Sequence, residues 1–235
     1  MKECYTREQI ETAVKEKGYK WFEDNNNKGY DVNIVGVRNS KTKGRVTNAF
    51  DDCITVSYKI EGEWQFYCIP CTTDPGSHWV ENILSEKGVA ILKPNQYRGS
   101  HKLRLHQGKY LALGQKKPVT VYRDNNRDDK YDLDESKTDT GIFGINIHRA
   151  TGKKGGKSTR VDKWSAGCQV IADNDDWHTF LDICQTAREI HGNSFSYTLI
   201  ESKDITIYRT CPFIAKEYLM QKYIDTKLWH FCERK

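Results

Sequence analysis

Near the start of the chain, Ile10, Ala13 and Val14 recur at helical spacing. Thr6, followed three residues later by Gln9, forms a capping-box pattern ahead of them, and Gly18 supplies the stop, so a first helix is predicted here. After the polar loop Asp24-Asn25-Asn26-Asn27-Lys28-Gly29 the period changes to two. Strand-like runs cover 32–37, 53–58 and 64–67, the last two joined by a Glu61-Gly62 turn. Shorter runs follow at 89–92, 103–105, 110–113, 119–122 and 144–148. The helical period then returns behind a cap at Asp173 or Asn174, carrying Trp177, Leu181, Cys184, Ala187 and Ile190 and ending at Gly192. A strand over 196–200 and, after Pro212, a helix over 213–231 complete the pattern.

Many short strands framed by few helices predict an α+β chain, mainly a β sandwich or partly open barrel, rather than alternating β-α-β units. It has an N-terminal helix, one mid-chain helix and a C-terminal helix. Three stretches are distinguished: 1–65, integral to the same domain; a core over 66–203; and a helical extension over 204–235. At 235 residues there is chain enough for a proper core, and 13 Tyr, 8 Phe and 6 Trp supply its bulk despite a polar composition. The net charge of +5 is too diffuse to argue for nucleic acid but suits an anionic polymer. No run reaches membrane-spanning length, and the first residues show no secretory signal, so synthesis in the cytoplasm is expected. Eight cysteines at irregular spacing read as mostly reduced thiols, and the lone Cys68-Ile69-Pro70-Cys71 pair is weak evidence for zinc.

The chemistry concentrates at one place. The apolar run Gly144-Ile145-Asn146-Ile147 ends in His148, and Cys168 follows twenty positions later in the small-residue turn Ser165-Ala166-Gly167-Cys168. A thiol attacks as thiolate, and an imidazole is the usual device for making one. A glycine before it lets backbone N–H groups approach a developing oxyanion.

These residues resemble the catalytic domain of the L,D-transpeptidases (YkuD type): an apolar strand ending in His148, a variable loop, Ser165-x-Gly167-Cys168, and a helix with Asp175 near its start. Lys93-Pro94-Asn95-Gln96-Tyr97 loosely resembles another segment of that family. The likeness covers about 140–185, fades over 70–140, and finds no counterpart in the first 65 residues or after about 203. It implies a peptidoglycan stem peptide as partner and a Cys168 thioester, with His148 as base and then acid and no cofactor for catalysis. It also implies that the Arg149 carbonyl orients His148, that Gly167 and Cys168 N–H groups form the oxyanion hole, and that Ser165 shapes the turn. Two departures stand out: Arg149 follows His148 where the family commonly has glycine, and Val170 stands where it commonly has Arg or Asn. Arg149, Arg160 and Gln169 are the candidate replacements for holding substrate, with Tyr97, His101 and His106 as candidate cleft walls. Without a visible signal, action at the cell wall would follow release by lysis, as for a phage lysin. The rival reading is a non-catalytic wall-binding or virion-associated module of the same fold. Oligomeric state is left open.

A second constellation invites a cation. Asp124, Asn126, Asp128, Asp132 and Glu135 stand at positions 1, 3, 5, 9 and 12 of an EF-hand-like loop, with the Lys130 carbonyl at 7, predicting a structural calcium site. Asp129 in place of the turn glycine and the strand before the loop speak against it. The Gly152–Ser158 stretch fails the phosphate-loop spacing because position 151 is Thr. A zinc site from His148, Cys168 and His178 lacks paired-ligand spacing.

Overall fold

The computed structural model describes residues 5–206. The predicted first helix, α1 (Arg7–Glu16), is closed by a capping box: Thr6 Oγ1 accepts from Gln9 N–H, and Gln9 Oε1 accepts from Thr6 N–H. Its buried Ile10, Ala13 and Val14 pack on Trp21, Val35, Val37, Ile200 and Ile205, against the outer face of two strands. Each large aliphatic buried this way contributes about 1.5–3 kcal/mol.

Strands β1 (Asn33–Arg38), β2 (Asp52–Ile60) and β3 (Glu63–Thr72) come next, with the β2–β3 turn at Glu61-Gly62 where both residues are left-handed (φ 50° and 85°). A short helix α2 (Ser77–Glu81) precedes β4 (Val89–Leu92), β5 (Asn95–His106), β6 (Tyr110–Gln115), β7 (Val119–Asp124) and β8 (Thr138–Gly141). β9 (Ile147–Arg149), β10 (Gln169–Ile171), α3 (Asn174–His191) and β11 (Phe195–Glu201) complete the order. Asp173 is the cap of α3, its carboxylate accepting from Asp175 N–H.

Eight strands close on themselves in the order β1-β11-β5-β6-β9-β10-β3-β2, and β4-β7-β8 form a separate sheet. The expected sandwich or partly open barrel is therefore a closed barrel. Two contacts in the ring are parallel, β1 on β11 and β9 on β10, while the others run antiparallel, including β2 on β1, which closes it. The α+β class holds, with β predominant. The boundary at 65 falls inside β3 of this barrel, and the helix expected at 213–231 lies outside the described residues. No helix among the described residues is long and apolar enough to cross a membrane.

The barrel interior holds Ile34, Ile54, Leu103, Leu113, Ile147, Ile171 and Tyr197, and α3 adds Trp177, Phe180 and Cys184 to the same core. Gly36 shows how tight it is: a Cβ there would lie 1.9 Å from the Tyr197 hydroxyl. That hydroxyl crosses to donate to Gln169 Oε1 at 2.8 Å.

Candidate active site

The register of β9 against β10 places the Cys168 and His148 side chains. Val170 pairs with His148 and Gln169 with Ile147, so along this parallel ladder alternate residues share a face. Ile147, Gln169 and Ile171 point into the barrel, whereas Val170 and Ala150 pack outside it with Phe50, Val161 and Ala172. Cys168 and His148 therefore project together from the outer face, with Cys168 packed against that satellite cluster.

The turn before the thiol is tied by Ser165. Its hydroxyl donates to the Cys168 carbonyl at 2.8 Å and accepts from Gly167 N–H at 3.1 Å, and its own carbonyl receives Gly76 N–H. Gly167 is left-handed (φ +129°), and a Cβ there would come within 2.3 Å of the Ala90 carbonyl on β4. Only glycine fits. Because Gly167 N–H is taken by Ser165, it is not available as the oxyanion donor expected from the sequence. Cys168 N–H makes no hydrogen bond among the described residues and is the donor left.

His148 is buried, with Nδ1 at 2.9 Å from the Arg149 carbonyl and 3.3 Å from the Tyr110 hydroxyl. A carbonyl only accepts, so Nδ1 carries the proton and Nε2 keeps its lone pair. The ring stacks on His106, centroids 4.4 Å apart at 23°. Burial pushes His148 down to about 4, and the neighbouring His106 adds to this. It is neutral at pH 7 and fit to accept a proton. Burial likewise pushes the Cys168 thiol up to about 11, against the opposing pull of Asn146 N–H. The thiol donates to the Gly144 carbonyl at 3.3 Å and makes no hydrogen bond to His148. The resting pair is thus neutral thiol and neutral imidazole.

Cys168 opens on a cleft of ≈ 440 Å³ floored by Ala112, Gly114 and Gly144 and walled by Arg104, His106 and Asn146. Of the predicted substrate-holding residues, His106 lines it. Arg149 sits beside it: its guanidinium lies 4.4 Å over the Tyr110 ring and donates to Asn174 Oδ1 at the start of α3. The others are placed elsewhere. Tyr97 is buried, its hydroxyl donating to the Lys93 and Thr120 carbonyls. Gln169 is buried in the barrel between Tyr197, Thr73 and Gly167. Arg160 is exposed on Asp162. His101 is a buried strut between Ser100 and the Ile145 carbonyl, pushed down to about 4 by burial. Asp175 is exposed and accepts Gly155 N–H. Sequence reasoning missed Tyr110, Asn146, Gly144 and Arg104 as members of the site. The alternation Lys102-Leu103-Arg104-Leu105-His106, with cations on one face, was the available signal for the last.

The acidic loop does not converge. Asp124 accepts from Asn126 and Asp132 N–H, Asn126 from Asp128 N–H, and Asp128 from Lys130 N–H. Glu135, needed to close a coordination sphere, instead accepts the Tyr122 hydroxyl and pairs with Lys93. Among the described residues no group of three or more His, Cys, Asp or Glu side chains is arranged to hold a metal, which also leaves His178 apart from His148 and Cys168.

No family model matches the chain, and neither the curated proteins nor the solved structures compared with it yield a match.

Proposed function

We propose that the protein is a cysteine-dependent acyl-transfer enzyme acting on peptidoglycan stem peptides, by transpeptidation or hydrolysis. The observation that carries this reading is the common outer face of Cys168 and His148, with the imidazole tautomer fixed by the Arg149 carbonyl and Cys168 lining a cleft. Rotation of the thiol from the Gly144 carbonyl toward His148 Nε2 starts the reaction. Nε2 takes the proton as Sγ attacks the scissile carbonyl, and the oxyanion forms against Cys168 N–H. The imidazolium then gives its proton to the leaving amine, leaving a thioester. An incoming amine yields a new amide, and water yields an acid; in both cases His148 takes the nucleophile's proton and the thiol regains it.

A second reading, a non-catalytic wall-binding module, is favoured by one observation: the thiol rests on a carbonyl with its pKa raised. Digestion of diaminopimelate-type muropeptides by wild type and Cys168→Ala, read by mass spectrometry, decides between them. A product lost in the variant supports cysteine catalysis, and its mass separates cross-linking from hydrolysis. Identical traces move the weight to the module.

A further inference from the structure

The cleft carries an arginine whose charge has no partner among the described residues. Arg104, on β5, lines the cavity with Cys168 and makes no ion pair or hydrogen bond among the described residues. Arg38, Arg123 and Arg160, by contrast, are paired with Asp74, Asp139 and Asp162. Among the described residues no Asp or Glu lines the cleft. Its lining charge is therefore one-sided, with Arg104 beside His106, whose pKa is lowered by burial and, secondarily, by the Arg104 charge.

The side chain is also laid in place. Arg104 pairs with Ala112 across β5 and β6, and its stem runs over Gly114, where a Cβ would lie 1.9 Å from Nε, 2.7 Å from Cδ and 2.8 Å from Cγ. Glycine at 114 lets the stem lie flat on the cleft floor. A guanidinium held in this way presents a planar fork matched to a carboxylate.

We propose that Arg104 is the specificity-determining residue of the cleft and selects peptides bearing a free carboxylate near the scissile carbonyl. The proposal rests on the acyl-transfer reading of Cys168. Two carboxylates have the required chemistry: the C-terminal one on the leaving residue and the side-chain one on a diamino-acid donor.

The test uses the full chain and three stem peptides: the free acid, its side-chain carboxamide and its C-terminal carboxamide. The expected result is that wild type prefers the free acid over one of the amides by about tenfold or more in kcat/KM, the range of a charged hydrogen bond. Which amide suffers identifies the carboxylate. Arg104→Gln loses that preference, slowing on the acid by more than on the amide. Arg104→Lys keeps part of it, and Gly114→Ala, which pushes the stem off the floor, reduces the ratio. Equal rates of wild type on all three peptides, or an undiminished preference in Arg104→Gln, would overturn the proposal while leaving the enzyme reading intact. If wild type turns over none, the enzyme reading fails separately. Titration of the peptides into Cys168→Ala, with and without Arg104→Gln, then tests recognition alone: tighter acid binding that needs Arg104 upholds carboxylate selection, and equal binding overturns it.

Discussion

Raising the pH in the presence of an alkylating probe should modify Cys168 late, and the delay follows from the site. Burial lifts the thiol to about 11, and His148, pushed down to about 4, supplies no resting positive charge to oppose it. At pH 8 an ordinary thiol of pKa about 8.5 is roughly one-quarter thiolate, whereas one at about 11 is roughly one-thousandth, a deficit of about two hundredfold. The more basic sulfur recovers about ten- to twentyfold through its greater nucleophilicity. Cys168 should thus react roughly ten- to twenty-five-fold more slowly than the same cysteine in unfolded chain. The assay is iodoacetamide modification across about pH 6–11, with the Cys168 peptide quantified by mass spectrometry and a denatured sample as reference. The rate should climb about tenfold per pH unit without levelling before about pH 10. His148→Asn should leave this profile nearly unchanged and, on the acyl-transfer reading, abolish muropeptide turnover. A plateau near or below neutrality would falsify the neutral resting pair, because it requires a preformed thiolate–imidazolium.

Other consequences lie in the barrel and the acidic loop. Tyr197→Phe strands the buried Gln169 carbonyl oxygen and should cost about 1–3 kcal/mol in denaturant unfolding; Gly36→Ala, which drives a Cβ into the Tyr197 hydroxyl, should cost a similar amount alone and less when combined with Tyr197→Phe. An additive double variant would show that the two residues are not in contact as described. Burial beside Asp74 and Asp51 raises the Asp52 carboxyl to about 7, above its unfolded value of about 3.9, so the folded state holds this proton more tightly and loses stability as pH rises between the two. Melting temperatures of Asp52→Asn should fall less than those of wild type over that window, and parallel curves would contradict the assignment. Calcium followed by chelator should leave the melting temperature unmoved, because Glu135 is held by Tyr122 and Lys93; a reversible rise would mean that Glu135 swings into the loop.

Local order was legible where local chemistry sets it. The Thr6–Gln9 box, the Asp173 cap, the apolar stripe of α3 and the Glu61-Gly62 turn were all readable, because each depends on neighbours a few residues apart. Barrel closure was not. Period-two alternation is the same in a sandwich and a barrel, and the parallel seam of β1 with β11 joins opposite ends of the described chain. β9 and β10 have three residues each, too short for periodicity to report, and the predicted strand from 144 breaks where Gly144 turns left-handed. In the site, His148 and the Ser165–Cys168 turn stood out by residue type. Tyr97, Gln169 and His101 misled for the same reason: a polar tip reads as function when its partner is a carbonyl or side chain remote in sequence. Arg104 was passed over because its meaning depends on Gly114, one strand away.

His148 and Cys168 are each satisfied without the other. The imidazole is held by the Arg149 carbonyl, Tyr110 and the His106 ring, and the thiol by Gly144 and a turn that Ser165 ties and Gly167 lets pass beneath Ala90. Folding therefore does not depend on a bond between them, and the polar groups around them are already paired before substrate arrives. Around the cleft, the groups left without a hydrogen-bond partner among the described residues include the His148 Nε2 lone pair, the Cys168 N–H and the Arg104 guanidinium. These are the groups an acyl transfer uses in turn: a base for the thiol proton, a donor for the oxyanion and a cation to fix the peptide. Burial makes charge separation at the site costly, so on the acyl-transfer reading the proton moves only when a bound carbonyl takes the sulfur's electrons. The same features that make the thiol sluggish toward a small alkylating probe are thus compatible with its attack on a peptide held against it.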